Sequence, residues 1–171
     1  MIRAVNWGLP VLTAAVYAVL ALYFGGRLMA LAEGQWPFDL RWAGYSLGEA
    51  RAYLRVLAPQ GFALALGPIA WLDTVFPALL GLTLLWWMRP FAGAFGMVCV
   101  LAVMTYVALD WGENAAIRAM LTAGPDYVQL VEVVRASTFT SAKFAALALA
   151  MVLALRQILR RRRSASQPVS G

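Results

Sequence analysis

Four long apolar runs, separated by short polar intervals, organise this chain. A helix that crosses a bilayer needs roughly 20 mostly apolar residues. The pattern predicts such helices at about 7–32, 62–88, 91–121 and 137–159. The cleanest stretch of the first ends at Phe24. Arg89-Pro90 makes the turn between the second and third so short that they must be antiparallel neighbours, and Pro90 can open the third without losing a needed donor. A connection around 115–135 is expected to lead into the fourth.

A different pattern fills the interval between the first and second runs. Ser46-Leu47-Gly48-Glu49 reads as a capping box that starts a short helix over about 46–58. Leu47, Ala50, Leu54 and Leu57 form one stripe, and Pro59 and Gly61 end it. An amphipathic helix in this place is expected to lie flat on the membrane surface as a lid, with Trp36, Trp42 and Tyr45 as interfacial anchors.

Composition agrees with the pattern. Of 171 residues, 63% are hydrophobic and 13% charged, against ~45–50% and ~25% for a soluble domain. The expected fold is all-α, a four-helix membrane bundle forming one domain over 1–163, followed by a disordered cytoplasmic tail at 164–171.

The net charge of +6 does not point to nucleic acid, because Arg156, Arg160, Arg161, Arg162 and Arg163 gather at one end beside an apolar helix. Residues 33–61 balance Glu33, Asp39 and Glu49 against Arg41, Arg51 and Arg55. The opposite side carries Arg3, Arg89 and the arginine run with no acid. By the positive-inside rule both termini face the cytoplasm, which in a bacterium places 33–61 on the periplasmic side of the inner membrane. Ala30-Leu31-Ala32 has the spacing of a signal-peptide cleavage site. The apolar stretch before it is longer than a usual signal core, so a retained helix is expected.

The candidate chemistry lies at one depth. At ~1.5 Å per residue, Asp73 stands roughly 22 Å, Asp110 roughly 30 Å and Lys143 roughly 26 Å above the cytoplasmic ends of their helices. Three helices thus deliver charge to the outer third of a ~30 Å hydrocarbon core. Asp110, Glu113 and Asn114 fall at i, i+3 and i+4 and share a face. Lys143, the sole lysine, is their natural partner. Asp73, Asp110, Glu113 and Lys143 together would sum to −2, which low dielectric disfavours. Protons on the carboxyls, a bound cation or entering water would each relieve it. Pro77, one turn after Asp73, frees a backbone carbonyl there, and Gly67-Pro68 also interrupts the helix. Thr138, Thr140 and Ser141 could bond across helices, while Trp71, Tyr106, Trp111 and Tyr127 read as an aromatic belt. The ion cluster has two readings: a device that fixes helix register, or a site formed by Asp73, Asp110, Glu113, Asn114 and Lys143 for a ligand or proton.

No cofactor or metal site is expected: the chain has no histidine and one cysteine, Cys99, inside an apolar run. Nucleotide-binding, hydrolase and zinc-protease motifs are missing from the sequence, as is an internal repeat. Phe38-Asp39-Leu40-Arg41, Gly44-Tyr45-Ser46, Leu72-Asp73, Phe76-Pro77, Asp110 with Glu113-Asn114, and Lys143 occur in an order that resembles small four-helix bacterial membrane proteins of uncharacterised function. The resemblance implies a fold and a location but no activity. The expected partners are the lipid bilayer, a lipid or small-molecule ligand, and a second copy in a homo-oligomer. The leading functional reading is lipid or small-ligand handling. A proton- or cation-coupled carrier comes next, then an acid–base enzyme acting on a lipid-soluble substrate.

Overall fold

The computed structural model describes the backbone of residues 2–165 and the side chains of residues 7–161. The chain is 87% helical, and the described residues contain no strand. The first spanning segment comprises α1 (Ile2–Ala18), a π-helical stretch (Val19–Phe24) and α2 (Gly25–Leu31). A 3₁₀ turn (Phe38–Leu40) and α3 (Leu47–Val56) follow. The second segment is α4 (Pro59–Leu64), a π-helical stretch (Ala65–Ile69) and α5 (Ala70–Met88). The third and fourth are α6 (Gly93–Tyr127) and α7 (Leu130–Ala165). All four are long and apolar enough to cross a membrane.

Local chemistry sets the boundaries. Gly67-Pro68 breaks the second segment, with Gly67 at φ −103°, ψ −107°. The third helix starts at Gly93, three residues later than expected from Pro90, with Ala92 in extended conformation before it. The expected connection around 115–135 reduces to residues 128–129. Gly124 turns α6 at φ 75°, and the Glu132 carboxylate accepts from the Gln129 amide (2.9 Å) to start α7 two turns before Ser137. At the far end α7 continues through Ala165, so Ser164 and Ala165 belong to it. The rest of the predicted disordered tail, 166–171, lies outside the described residues.

The segment 33–58 forms a packed cap. The capping box at Ser46 and Glu49 forms as expected. The stripe of α3, in contrast, does not lie on lipid. Ala50, Tyr53, Leu54 and Leu57 are buried against Met120, Leu121, Val128, Val133 and Ala136 at the outer ends of α6 and α7. Sequence periodicity cannot tell lipid from a helix end, and the two extra outer turns of α6 and α7 supply the surface. Tyr45 is buried with them and is not an interfacial anchor. Trp36 and Trp42 remain exposed.

Arg41 closes the cap from within. Its guanidinium donates to the Trp36 carbonyl (2.7 and 2.9 Å) and lies 5.2–5.9 Å from the ring centres of Phe38, Tyr45 and Tyr53. Gly44, at φ 86°, lets the backbone approach α7, where a Cβ would meet Ser137 Oγ at 2.8 Å. The Tyr45 amide donates to that Ser137 hydroxyl (2.9 Å), and Ser141 donates to the Trp42 carbonyl (3.1 Å).

The three later segments pack closely, and the first is buried far less. Tyr17 packs against Phe76 of α5 (ring centroids 5.6 Å apart), and two hydrogen bonds add to this. Thr13 and Thr83 share a hydrogen bond (2.8 Å) toward the inner half, and the Ala58 amide donates to the Leu31 carbonyl (2.9 Å) at the outer end. Ala32 beside Leu31 is fully buried, so the Ala30-Leu31-Ala32 stretch forms part of the fold. Gln157 on α7 donates to the Met88 carbonyl (3.1 Å), satisfying the end of α5.

Two outcomes follow. Tyr53→Ala should lower stability in detergent by about 3 kcal/mol, the range for removing a buried aromatic. Trp42→Ala, at a residue 70% exposed, should change it by about 0.5 kcal/mol or less. Thermal unfolding of the two variants decides, and equal effects would contradict a packed cap. The second outcome concerns acid. Its hydrogen bonds to the Ser46 hydroxyl and amide hold the exposed Glu49 carboxyl below its ordinary value of 4.5. The stabilisation is therefore complete above that value and fades as pH falls through the lowered one. Amide protection of α3, corrected for intrinsic exchange, should fall between about pH 6 and about pH 3 in the native chain and stay flat in Glu49→Gln.

Candidate functional site

α6 presents three polar side chains on one face because 110, 113 and 114 recur at helical spacing. Glu113 is fully buried and Asp110 is 6% exposed. Facing them, α7 offers Lys143, whose ammonium pairs directly with Glu113 and lies 3.8 Å from Asp110 Oδ2. Thr140, one turn earlier on α7, donates its single hydroxyl proton to Glu113 Oε1 (2.5 Å) or to the Ala136 carbonyl (3.0 Å). Both α6 carboxylates therefore share one cation in an apolar setting.

α5 joins through its backbone. Pro77 has no N–H, so the Asp73 carbonyl lacks its helical partner. The Asn114 amide fills the gap, donating to that carbonyl (2.8 Å) while its nitrogen also lies 3.4 Å from Asp110 Oδ1. Trp111 Nε1 donates to the Thr74 carbonyl (3.0 Å), one residue further on. The carbonyl that Pro77 was expected to free is thus where α6 grips α5.

Of the five residues singled out from sequence, Asp110, Glu113 and Lys143 form one ion cluster, and Asn114 connects it to α5. Asp73 is near them, yet among the described residues its carboxylate takes part in no hydrogen bond or ion pair within 4 Å. Only its backbone is engaged. Of the three hydroxyls proposed to cross between helices, Thr140 does so and Ser141 instead holds the cap. Thr138 is exposed.

Three residues were not placed at the site from sequence. Tyr106, assigned to the aromatic belt, is 1% exposed and turns its hydroxyl to Asp110. Its i−4 spacing from Asp110 was the available signal. Trp71, Trp111 and Tyr127 are exposed. Arg118, one turn beyond Asn114, borders the same space. Asp39 reaches it from the 3₁₀ turn, and no periodicity reports on a loop residue.

These groups sit at the polar end of a cavity of about 840 Å³ between the first segment and α5–α7. Asp39, Asp73, Asp110, Asn114, Arg118 and Lys143 line its outer part. Leu20, Phe24, Leu28, Ile69 and Leu80 give it apolar walls, and it reaches past Thr13 and Thr83 to Pro10, Trp87 and Met151. Fourteen residues of α5 separate Asp73 from Trp87 and eight of α7 separate Lys143 from Met151, so the slot runs roughly 12–21 Å beyond the charged level. That is well over a third of a ~30 Å hydrocarbon core. Among the described residues, no group of three Asp, Glu or Cys side chains could hold a metal ion.

Fold and composition define a multi-pass α-helical membrane protein with an ionised cluster inside the bundle. No family model, curated protein or solved structure matches the chain.

The cluster predicts its own energetics. Lys143→Met leaves two buried carboxylates without their cation and should cost about 3–5 kcal/mol. Adding Glu113→Gln should recover part of that loss. A double-mutant cycle by thermal unfolding tests the coupling, and strict additivity would show that the pair does not interact.

Proposed function

We propose that this is a protein of the bacterial inner membrane, with both ends in the cytoplasm, that binds a lipid or other small amphiphile in a pocket of the outer leaflet. The orientation rests on the arginines at the two cytoplasmic ends and the balanced charge of 33–61. One observation carries the functional reading: the cavity is lined by charged groups at the Asp73–Asp110–Lys143 level and by apolar walls along the rest of its length. Its volume falls within the ~300–1,000 Å³ usual for small-molecule sites. An amphiphile has the same polarity profile, with its head at the Asp73–Asp110–Lys143 level and its tail between the first segment and α5. The first segment, little buried against the rest of the bundle, would leave a lateral route from the bilayer.

Native mass spectrometry in mild detergent tests this. The native chain should carry one bound molecule per protomer. Ala14→Trp, which fills the apolar slot from α1 away from the ion cluster, should lose it by at least about tenfold, the order expected when a ligand's apolar part is excluded from its pocket. An empty native chain, or equal loading of both, would overturn the reading.

A further inference from the structure

The polar part of the cavity is lined by more acids than bases. Asp39, Asp73 and Asp110 face it, with Glu113 directly behind, against Lys143 and Arg118. Taken as ionised, these four acids and two bases sum to −2. Arg41 stands outside the lining, engaged by the Trp36 carbonyl and three rings. Counting it as well leaves the sum negative.

The imbalance is localised. Lys143 is taken by Glu113 and Asp110. Asp39 and Asp73 come from different elements, the cap and α5, and lie within electrostatic reach of one another. Among the described residues neither carboxylate has a hydrogen bond or an ion-pair partner within 4 Å. Both point to the same space, where water, protein and lipid tails offer different partners.

The surroundings select among cations. Phe76, one turn from Asp73, stacks with Tyr17 (centroids 5.6 Å apart), and Trp111 borders the cavity beside Asp110. Aromatic faces together with carboxylates suit an organic cation. An inorganic ion needs a tighter shell of oxygens, and no group of three acids among the described residues provides one. An anionic head would add to the negative sum, and a neutral one would leave it uncompensated.

We infer that the occupant of this pocket is a hydrophobic organic cation: an ammonium or equivalent centre seated between Asp39 and Asp73, with its apolar body in the slot below. This rests on the reading of the cavity as an amphiphile site and names the charge of the head. An amine-headed lipid and a free hydrophobic amine share this chemistry. The mass retained by the purified protein separates them.

A pair of ions alike in shape and opposite in charge provides the test. Tetraphenylphosphonium and tetraphenylborate are each titrated onto the full chain in nanodiscs, with empty nanodiscs subtracted. The phosphonium should bind saturably with one site per protomer, and the borate should not. Asp39→Asn and Asp73→Asn should each weaken phosphonium binding at least tenfold. Glu33→Gln, an exposed carboxyl outside the cavity, should leave it unchanged, and thermal unfolding confirms that each variant is folded. Equal saturable binding of both ions, or insensitivity to both aspartate variants, overturns the cationic assignment. If phosphonium fails to bind while the purified chain still carries a neutral or anionic amphiphile that Ala14→Trp expels, the charge assignment falls and the pocket stands. If phosphonium fails and nothing is carried, both fall.

Discussion

One ammonium holds the outer half of this bundle together. An ionised group placed in a bilayer costs ~2.5–3.5 kcal/mol on insertion scales. Lys143, Glu113 and Asp110 incur that cost three times and offset it only by meeting. Sliding α7 along α6 by one turn would strand all three in hydrocarbon, so the pairing fixes the register of the two longest helices. Asn114 extends the constraint. It donates to the Asp73 carbonyl, which Pro77 leaves without a helical partner in α5. Three helices are thereby locked at one level, and the cap closes over their ends.

The first segment is not part of that lock. Its described side chains meet α5 through uncharged contacts, Thr13 with Thr83 and Tyr17 with Phe76, and its other end meets the cap through a backbone bond from Ala58 to Leu31. In water, an apolar cleft between such a helix and its neighbours would tend to close. In a membrane the hydrophobic drive is missing, because lipid tails fill the gap as well as leucine does. An apolar slot is therefore inexpensive here and carries little information by itself. The information lies in its charged end, where lipid tails are poor company.

The spans were legible because lipid imposes a length and a composition that few other structures need. The cap helix was legible at its start, where Ser46 and Glu49 bond reciprocally, but its environment was not. Its stripe is equally suited to lipid and to protein, and only the extra outer turns of α6 and α7 decide between them. Those turns were obscured by the polar residues scattered through 122–136, which fell outside the predicted spans although all but 128–129 are helix. Within the site, spacing along one helix was readable: Asp110, Glu113 and Asn114 had to share a face. The contribution of Pro77 was also readable, as a carbonyl in need of a donor. Tyr106 was misread because an aromatic near the interface is usually an anchor, and its neighbour at i+4 deserved more weight. Asp39 could not be placed at all, since a residue in an irregular segment has no period.

Asp39 is also the residue that most strains a purely structural account of the cluster. A register pair needs one acid and one base, and Lys143 with Glu113 already supplies it. Asp110 can be absorbed as a second acceptor, with Tyr106 and Asn114 supporting it. Asp39 sits on no spanning helix, sets no register and bonds to nothing among the described residues, yet it adds negative charge to a space that already has an excess. Asp73 does the same from α5, where its backbone alone would suffice for Asn114. Uncompensated charge near low dielectric destabilises a fold, so two such carboxylates facing one cavity detract from stability without a structural return. The proposed cationic guest would supply the missing term. The cost of leaving the pocket empty then becomes part of the affinity for what enters it.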